Sequence, residues 1–152
     1  MKDLTFPGLS QPQLEALGRR LAPLLFPGAF LALTGGLGAG KTTFTRAVAE
    51  GLGISGILSP TFTILREHRG GRLPLFHFDA YRLRCGEELY DIGFEDYLGQ
   101  GGVIVMEWCE NVPDALPPQR LELRLEGSGE LPRNLRFKAF GASYEGILEK
   151  LK

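Results

Sequence analysis

One string restricts this chain more than any other: Gly35-Gly36-Leu37-Gly38-Ala39-Gly40-Lys41-Thr42, a match to G-x-x-x-x-G-K-[ST]. Its flanks give it structural meaning. Phe30-Leu31-Ala32-Leu33-Thr34 is a short unbroken apolar run, suited to a buried parallel strand. Behind the string, Phe44, Ala47, Val48 and Gly51 recur at helical spacing, which predicts a helix from about Lys41 to Leu52. A strand, a glycine loop and a helix in that order make a P-loop. The glycines let successive backbone N–H groups turn toward phosphate oxygens, and the helix N-terminus adds the positive end of its dipole. Lys41 would reach the β- and γ-phosphates and Thr42 would offer its hydroxyl to Mg²⁺. A chance match in a chain of this composition arises on the order of one time in a hundred. The bland reading is an ordinary glycine-rich turn between strand and helix.

Alternating strand and helix patterns fill the rest. Ser10-Gln11-Pro12-Gln13 has the form of a capping box, with Leu14, Leu17 and Leu21 on the face of the helix it opens and Pro23 at its end. Thr61 to His68 reads as a strand, Gly70-Gly71 as a hairpin turn, and Leu73 to Asp79 as the returning strand. A helix is expected from Glu87 to about Leu98, and Val103-Ile104-Val105-Met106 is a second buried strand that ends at Glu107. Beyond Pro117-Pro118, Arg120 to Glu126 and Leu135 to Phe140 form a hairpin around Gly127-Ser128-Gly129, and Tyr144, Ile147, Leu148 and Leu151 mark a last amphipathic helix. These elements predict one α/β domain over residues 1–152. Its architecture is a three-layer, P-loop NTPase-like fold with a mixed, mostly parallel sheet and added antiparallel hairpins.

A P-loop needs a second acid on the Mg²⁺ side, at the end of a buried strand. Glu107 follows the cleaner apolar strand and is the preferred Walker B residue; Asp79 follows Leu75-Phe76-His77-Phe78 and is the second acid, suited to orienting water. Thr61 stands in the loop after the P-loop helix, either to sense the γ-phosphate as a switch residue or simply to begin a strand. His77 reads as a core or strand-face histidine rather than a base. Trp108 either packs near a nucleotide or closes the core. Arg82 and Arg84 face phosphate, a partner or solvent. Neither N-K-x-D nor T-K-x-D occurs, so ATP is favoured over GTP by absence of a guanine reader.

Composition excludes other classes. The net charge is −1, from 17 basic and 18 acidic residues, so the balance shows no basic groove for nucleic acid. Runs of apolar residues are too short for a transmembrane helix, and the N-terminus lacks the apolar stretch of a signal peptide. Cys85 and Cys109, without a C-x-x-C, and only two histidines argue against zinc and for idle thiols in a reducing cytosol. Glycine is 21 of 152 residues, an excess spread over turns as well as the loop.

Four segments in this order resemble one family: Gly36 to Thr43; Ser59-Pro60-Thr61-Phe62-Thr63; His77-Phe78-Asp79-Ala80-Tyr81-Arg82-Leu83; and Glu107-Trp108. Together with the total length they resemble the TsaE (YjeE) family of small bacterial P-loop ATPases, over nearly the whole chain. The resemblance implies a cytoplasmic ATPase needed for threonylcarbamoyladenosine in tRNA. It would act with the TsaB and TsaD proteins, meet tRNA only indirectly through them, and use ATP hydrolysis to reset or drive that complex. It implies ATP or ADP held along Gly35, Gly36, Leu37, Gly38, Ala39, Gly40, Lys41, Thr42 and Thr43, with Trp108 and Arg133 nearby. Mg²⁺ would be held by Thr42 and Glu107, and hydrolysis would be served by Lys41, Thr61, Asp79 and Glu107. Family members often carry aspartate where this chain has Gly36, a free position of the motif. The rival readings are a small-molecule kinase, for which no arginine-rich lid is evident, and a nucleotide-dependent binding module without turnover.

Overall fold

The computed structural model describes residues 2–56 and 64–152. Among them one sheet contains β1 (Lys2–Leu9), β2 (Phe30–Thr34), β3 (Leu65–His68), β4 (Leu75–Asp79), β5 (Val103–Glu107), β6 (Arg120–Glu126) and β7 (Arg133–Phe140). The helices are α1 (Gln11–Leu21), α2 (Lys41–Gly51), α3 (Gly86–Tyr90), α4 (Phe94–Leu98) and α5 (Ala142–Leu151). The strand order is β1-β7-β6-β2-β5-β4-β3. The centre is parallel, with β2 between β5 and β6, and β4 on the far side of β5. Antiparallel strands flank it: β7 and β1 beyond β6, and β3 beside β4. This is the mixed α/β sheet that the sequence predicts.

The two apolar runs form the centre because both of their faces are covered. Leu31, Leu33, Leu75 and Val105 face a core built with α1, α2 and α5. Phe30, Ala32, Phe76, Phe78, Ile104 and Met106 face the opposite core, closed by Leu89 and Phe94 from the short helices. Side chains alternate between these faces along each strand. His77 and Asp79 therefore share the α1/α2 face with Leu75. The C-terminal edges of β2, β4 and β5 end together, on the side of a parallel sheet where ligand crevices form.

Several boundaries differ from expectation, among them the start of β4 at Leu75 rather than Leu73. The N-terminal segment forms β1, an edge strand. Pro7 and Gly8 mask its pattern, and its pairing register slips between Phe6 and Leu9. The helix expected from Glu87 to Leu98 is two helices, because Gly93 adopts φ +85° and caps the second. β3 is described only from Leu65 onward; the expected start at Thr61 lies outside the described residues. β7 begins at Arg133, two residues before Leu135, the expected start. The Ser10 capping box forms as expected, and α1 gives way at Ala22–Leu24 to a 3₁₀ turn that contains Pro23.

The P-loop helix is seated by a close approach. A Cβ on Gly18 of α1 would lie 2.8 Å from the Ala47 Cβ and 3.1 Å from the Phe44 carbonyl oxygen, both on α2. Only a hydrogen at position 18 lets the two helices meet this way. Gly18→Val is expected to destabilise the protein by about 1–3 kcal/mol, through overpacking. A denaturant titration should show a lower midpoint with an unchanged slope; a parental midpoint would show that the helix pair tolerates the extra volume.

Candidate functional site

The loop from Gly35 to Gly40 leaves the end of β2 and enters α2, as the motif requires. Gly35, Gly38 and Gly40 have φ of +148°, +75° and +103°, conformations that side chains rarely adopt. At Gly35 a Cβ would also lie 2.6 Å from the Leu125 carbonyl oxygen. Gly36 is different, since a Cβ there would stand in open space. A side chain at this free position of the motif would therefore meet no neighbouring atom.

Lys41 is the first residue of α2 and is only 6% exposed. Its Nζ donates to the Gly35 carbonyl oxygen at 2.6 Å and sits 3.8 Å from the centroid of a Trp108 ring. Burial lowers the Lys41 pKa from its ordinary value, and the facing carboxylates of Glu107, Glu110 and Asp79 oppose that shift.

The two candidate acids are neighbours. Parallel pairing of β4 with β5 sets Asp79 opposite Glu107, while Leu33 of β2 pairs with Glu107 from the other side. Glu107 is 5% exposed, and its Oε2 lies 2.5 Å from His77 Nε2. Asp79 accepts a hydrogen bond from the Tyr81 backbone N–H at 2.9 Å. Burial raises the Asp79 pKa above the usual carboxylate value; the Tyr81 hydrogen bond works against the rise, and the nearby Glu107 charge adds to it.

Trp108 both borders this site and packs on a core. Its side chain rests against the cluster closed by the short helices, and its ring meets Tyr81 at 4.9 Å. Its φ of +59° is left-handed, the one such value for a non-glycine residue among the described residues. Arg133 approaches from the start of β7. Its Nε donates to the Ala39 carbonyl oxygen at 2.9 Å and Nη2 to that of Gly38 at 3.1 Å. The same guanidinium also binds the carbonyls of Gly129 and Leu131. Arg133 thus ties the glycine loop to the β6–β7 turn.

A cavity of about 340 Å³ is lined by Leu37 to Thr43 together with Asp79, Glu107, Trp108 and Arg133. It collects the loop, Lys41, Thr42 and both acids around one space. Thr61 lies outside the described residues. Arg82 and Arg84 are exposed and do not line this space. A second cavity, of about 440 Å³, adjoins Gly40, Thr43 and Arg133 and is walled by Ser10, Leu14 and the β6–β7 turn.

Two contributions were missed in the sequence. His77 is a strand-face histidine as expected, but it also contacts Glu107. Period-two alternation from Asp79 carries the signal, because it places His77 on the same face one layer deeper. Asn111 donates to the carbonyls of Ala80 and Tyr81 at 3.0 and 3.1 Å and so pins the segment after Asp79. Nothing in the sequence around Asn111 marks this role.

Comparison with known proteins gives the family. Residues 9–135 match the family model of the threonylcarbamoyl adenosine biosynthesis protein TsaE. The chain is 41% identical over 152 residues to the tRNA threonylcarbamoyladenosine biosynthesis protein TsaE of Bacillus subtilis, covering 99% of this chain and 95% of that protein. It is 48% identical over 117 residues to the protein of the same name from Streptomyces coelicolor, covering 74% of this chain and 78% of the relative. The crystal structure of Bacillus subtilis YdiB superposes with a TM-score of 0.86 at 37% identity, covering 99% of this chain and 94% of that one. By the extent of the family match and the likeness over nearly its whole length, this chain belongs to the TsaE family.

Proposed function

We propose that this chain binds ATP and ADP with Mg²⁺ and hydrolyses ATP. It does so in the cytoplasm, as the nucleotide-driven subunit acting with TsaB and TsaD on the way to threonylcarbamoyladenosine in tRNA. One observation carries the reading: a glycine loop, a buried lysine and two adjacent carboxylates line a single cavity. The family match supports the biosynthetic setting.

The loop N–H groups and the N-terminus of α2 supply positive potential for phosphate oxygens. Lys41 adds a full charge, which burial keeps poorly solvated and ready for an anionic partner. The cavity beside Gly40 and Thr43 shares Arg133 with the first, has neither Asp79 nor Glu107 in its lining, and suits the base and sugar. Thr42 and Glu107 offer hard oxygen donors of the kind Mg²⁺ prefers. Glu107 has one carboxylate oxygen engaged by His77 and no other side-chain hydrogen bond among the described residues. No group of three His, Cys, Asp or Glu side chains among the described residues is arranged to hold a metal alone. That suits a cation sharing its coordination with phosphate and water. Bound there, Mg²⁺ would neutralise charge developing on the β- and γ-phosphates. Asp79, beside Glu107, is placed to take a proton from an attacking water.

Lys41→Ala is expected to weaken ADP binding by about 100-fold or more, roughly 2.7 kcal/mol in calorimetry. Retained affinity would remove the P-loop reading. Glu107→Gln and Asp79→Asn are expected to keep part of the nucleotide affinity and to lower multiple-turnover phosphate release by about 10²–10³-fold. That release should be measured for the chain alone and with TsaB and TsaD. A phosphorylated small product would assign a kinase instead, and no release in any mixture would leave a binding module.

The raised pKa of Asp79 gives a further check. A base must be ionised, so turnover should fall as pH drops through that raised value. Asp79→Asn should remove the acid limb of the profile. A parental rate flat across this range would exclude Asp79 as the base.

A further inference from the structure

His77 is fully buried within β4, two residues before Asp79 and on the same face of the sheet. A polar ring in that layer needs a reason, because its neighbours there include Leu75 and Val105. Its Nε2 lies 2.5 Å from Glu107 Oε2, while its Nδ1 is buried without a hydrogen-bond partner among the described residues. Together these two facts favour one tautomer. With the proton on Nδ1, a buried donor would lack an acceptor and a ring lone pair would press against a carboxylate oxygen. With the proton on Nε2, the short contact is a charge-assisted hydrogen bond and only a weak acceptor is left over.

We propose that His77 is a positioning residue for Glu107: its Nε2–H ties down one carboxylate oxygen and leaves the other as a single fixed donor for a divalent cation. The proposal rests on the reading of Glu107 as a cation ligand. A free carboxylate can swing or offer both oxygens, whereas Mg²⁺ demands near-ideal octahedral geometry and tolerates little misplacement. Hydrogen bonds to ligating groups typically set metal affinity or activity by 10–100-fold. Among the described residues Asp79 has no such anchor. Its side-chain bond is to the Tyr81 backbone, in the turn that follows it. The two adjacent acids are thus held differently, one from the sheet beneath and one from its own loop.

The test compares the parent with Glu107→Gln, His77→Leu and His77→Gln, whose amide can donate from a similar place. ADP affinity is measured without metal and then across a Mg²⁺ titration, with thermal melting as the check on folding. Metal-free ADP affinity should be unchanged in both His77 variants. The Mg²⁺ midpoint should weaken by about 10–100-fold in His77→Leu and largely recover in His77→Gln. If Glu107→Gln shifts the midpoint and His77→Leu does not, the positioning role is overturned while the cation reading stands. If Glu107→Gln leaves the midpoint unmoved, the cation reading itself fails and this proposal with it. Should His77→Leu not fold, ¹⁵N imidazole spectra of the parent decide. The expected result is an Nε2-protonated His77 whose resonances move when Mg²⁺ is added to the ADP-bound protein, but not in Glu107→Gln. An Nδ1-protonated ring, or resonances indifferent to Mg²⁺, would overturn the proposal.

Discussion

Charge held away from water at the carboxyl edge of the sheet governs the rest of this molecule. Glu107 and Lys41 are both nearly enclosed, and Asp79 stands beside them. Burial pushes the lysine and the aspartate alike toward their neutral forms, while their mutual attraction pulls each back toward its charged form. An isolated charge in such a place is strongly disfavoured, so each needs a specific partner. Three adjacent parallel strands supply the geometry. β2 delivers the loop, β4 delivers Asp79 with His77 beneath it, and β5 delivers Glu107 with Trp108 after it. No local segment could assemble this set, because its members are separated by tens of residues and meet only through strand register.

The glycine loop has a complementary requirement. Its carbonyl oxygens need donors of their own. Arg133 supplies them to Gly38 and Ala39 from a single guanidinium, with its remaining contacts on the β6–β7 turn. A lysine could not do the same, since only the planar fork presents several donors in fixed directions. The hairpin added at the edge of the parallel core therefore braces the loop that the core projects. Trp108 meets a related need. A left-handed conformation at a non-glycine residue costs about 1–2 kcal/mol, and here it accompanies a ring that covers the Lys41 ammonium.

The sequence makes the parts with local signatures legible. The bounds of β2 and β5 and the start of α2 follow from unbroken apolar runs and the glycine string, and the cap of α1 from Ser10 and Gln13. The pairing of Glu107 with Asp79 as candidate acids follows from strand ends. Harder to read are features that arise between distant segments. β1 escapes notice because Pro7 and Gly8 interrupt its alternation, and it exists through pairing with β7, more than a hundred residues away. The break at Gly93 is hidden because a lone glycine does not by itself end a helical pattern. His77 reads as a core residue until the register of β4 against β5 brings Glu107 to it. Arg133 enters only through the family resemblance, as a neighbour of the nucleotide, and its use of the loop's backbone carbonyls is not legible.

The near-neutral charge gains a structural meaning from the face of β6, β7 and β1 turned away from α1, α2 and α5. Arg124 and Arg136 are cross-strand partners there, with Lys138 one step along, which as a list of residues resembles a basic patch. Each arginine is answered within the chain. Arg136 meets Asp3 at 2.5 Å, Arg124 meets Glu126 at 3.3 Å, and Arg120 meets Glu122 at 2.7 Å. Lys138 pairs across the strands with both Glu122 and Asp3. Other arginines serve the backbone: Arg72 donates to the carbonyls of Ala22 and Leu25, and Arg20 to that of Leu151. Affinity for a polyanion comes from cations that neutralise successive phosphates and release their counterions. Cations already facing carboxylates contribute little of that energy. On this face of the sheet the arginines are therefore engaged by carboxylates of the same chain, and the basic residues do not add up to an unanswered cationic surface there.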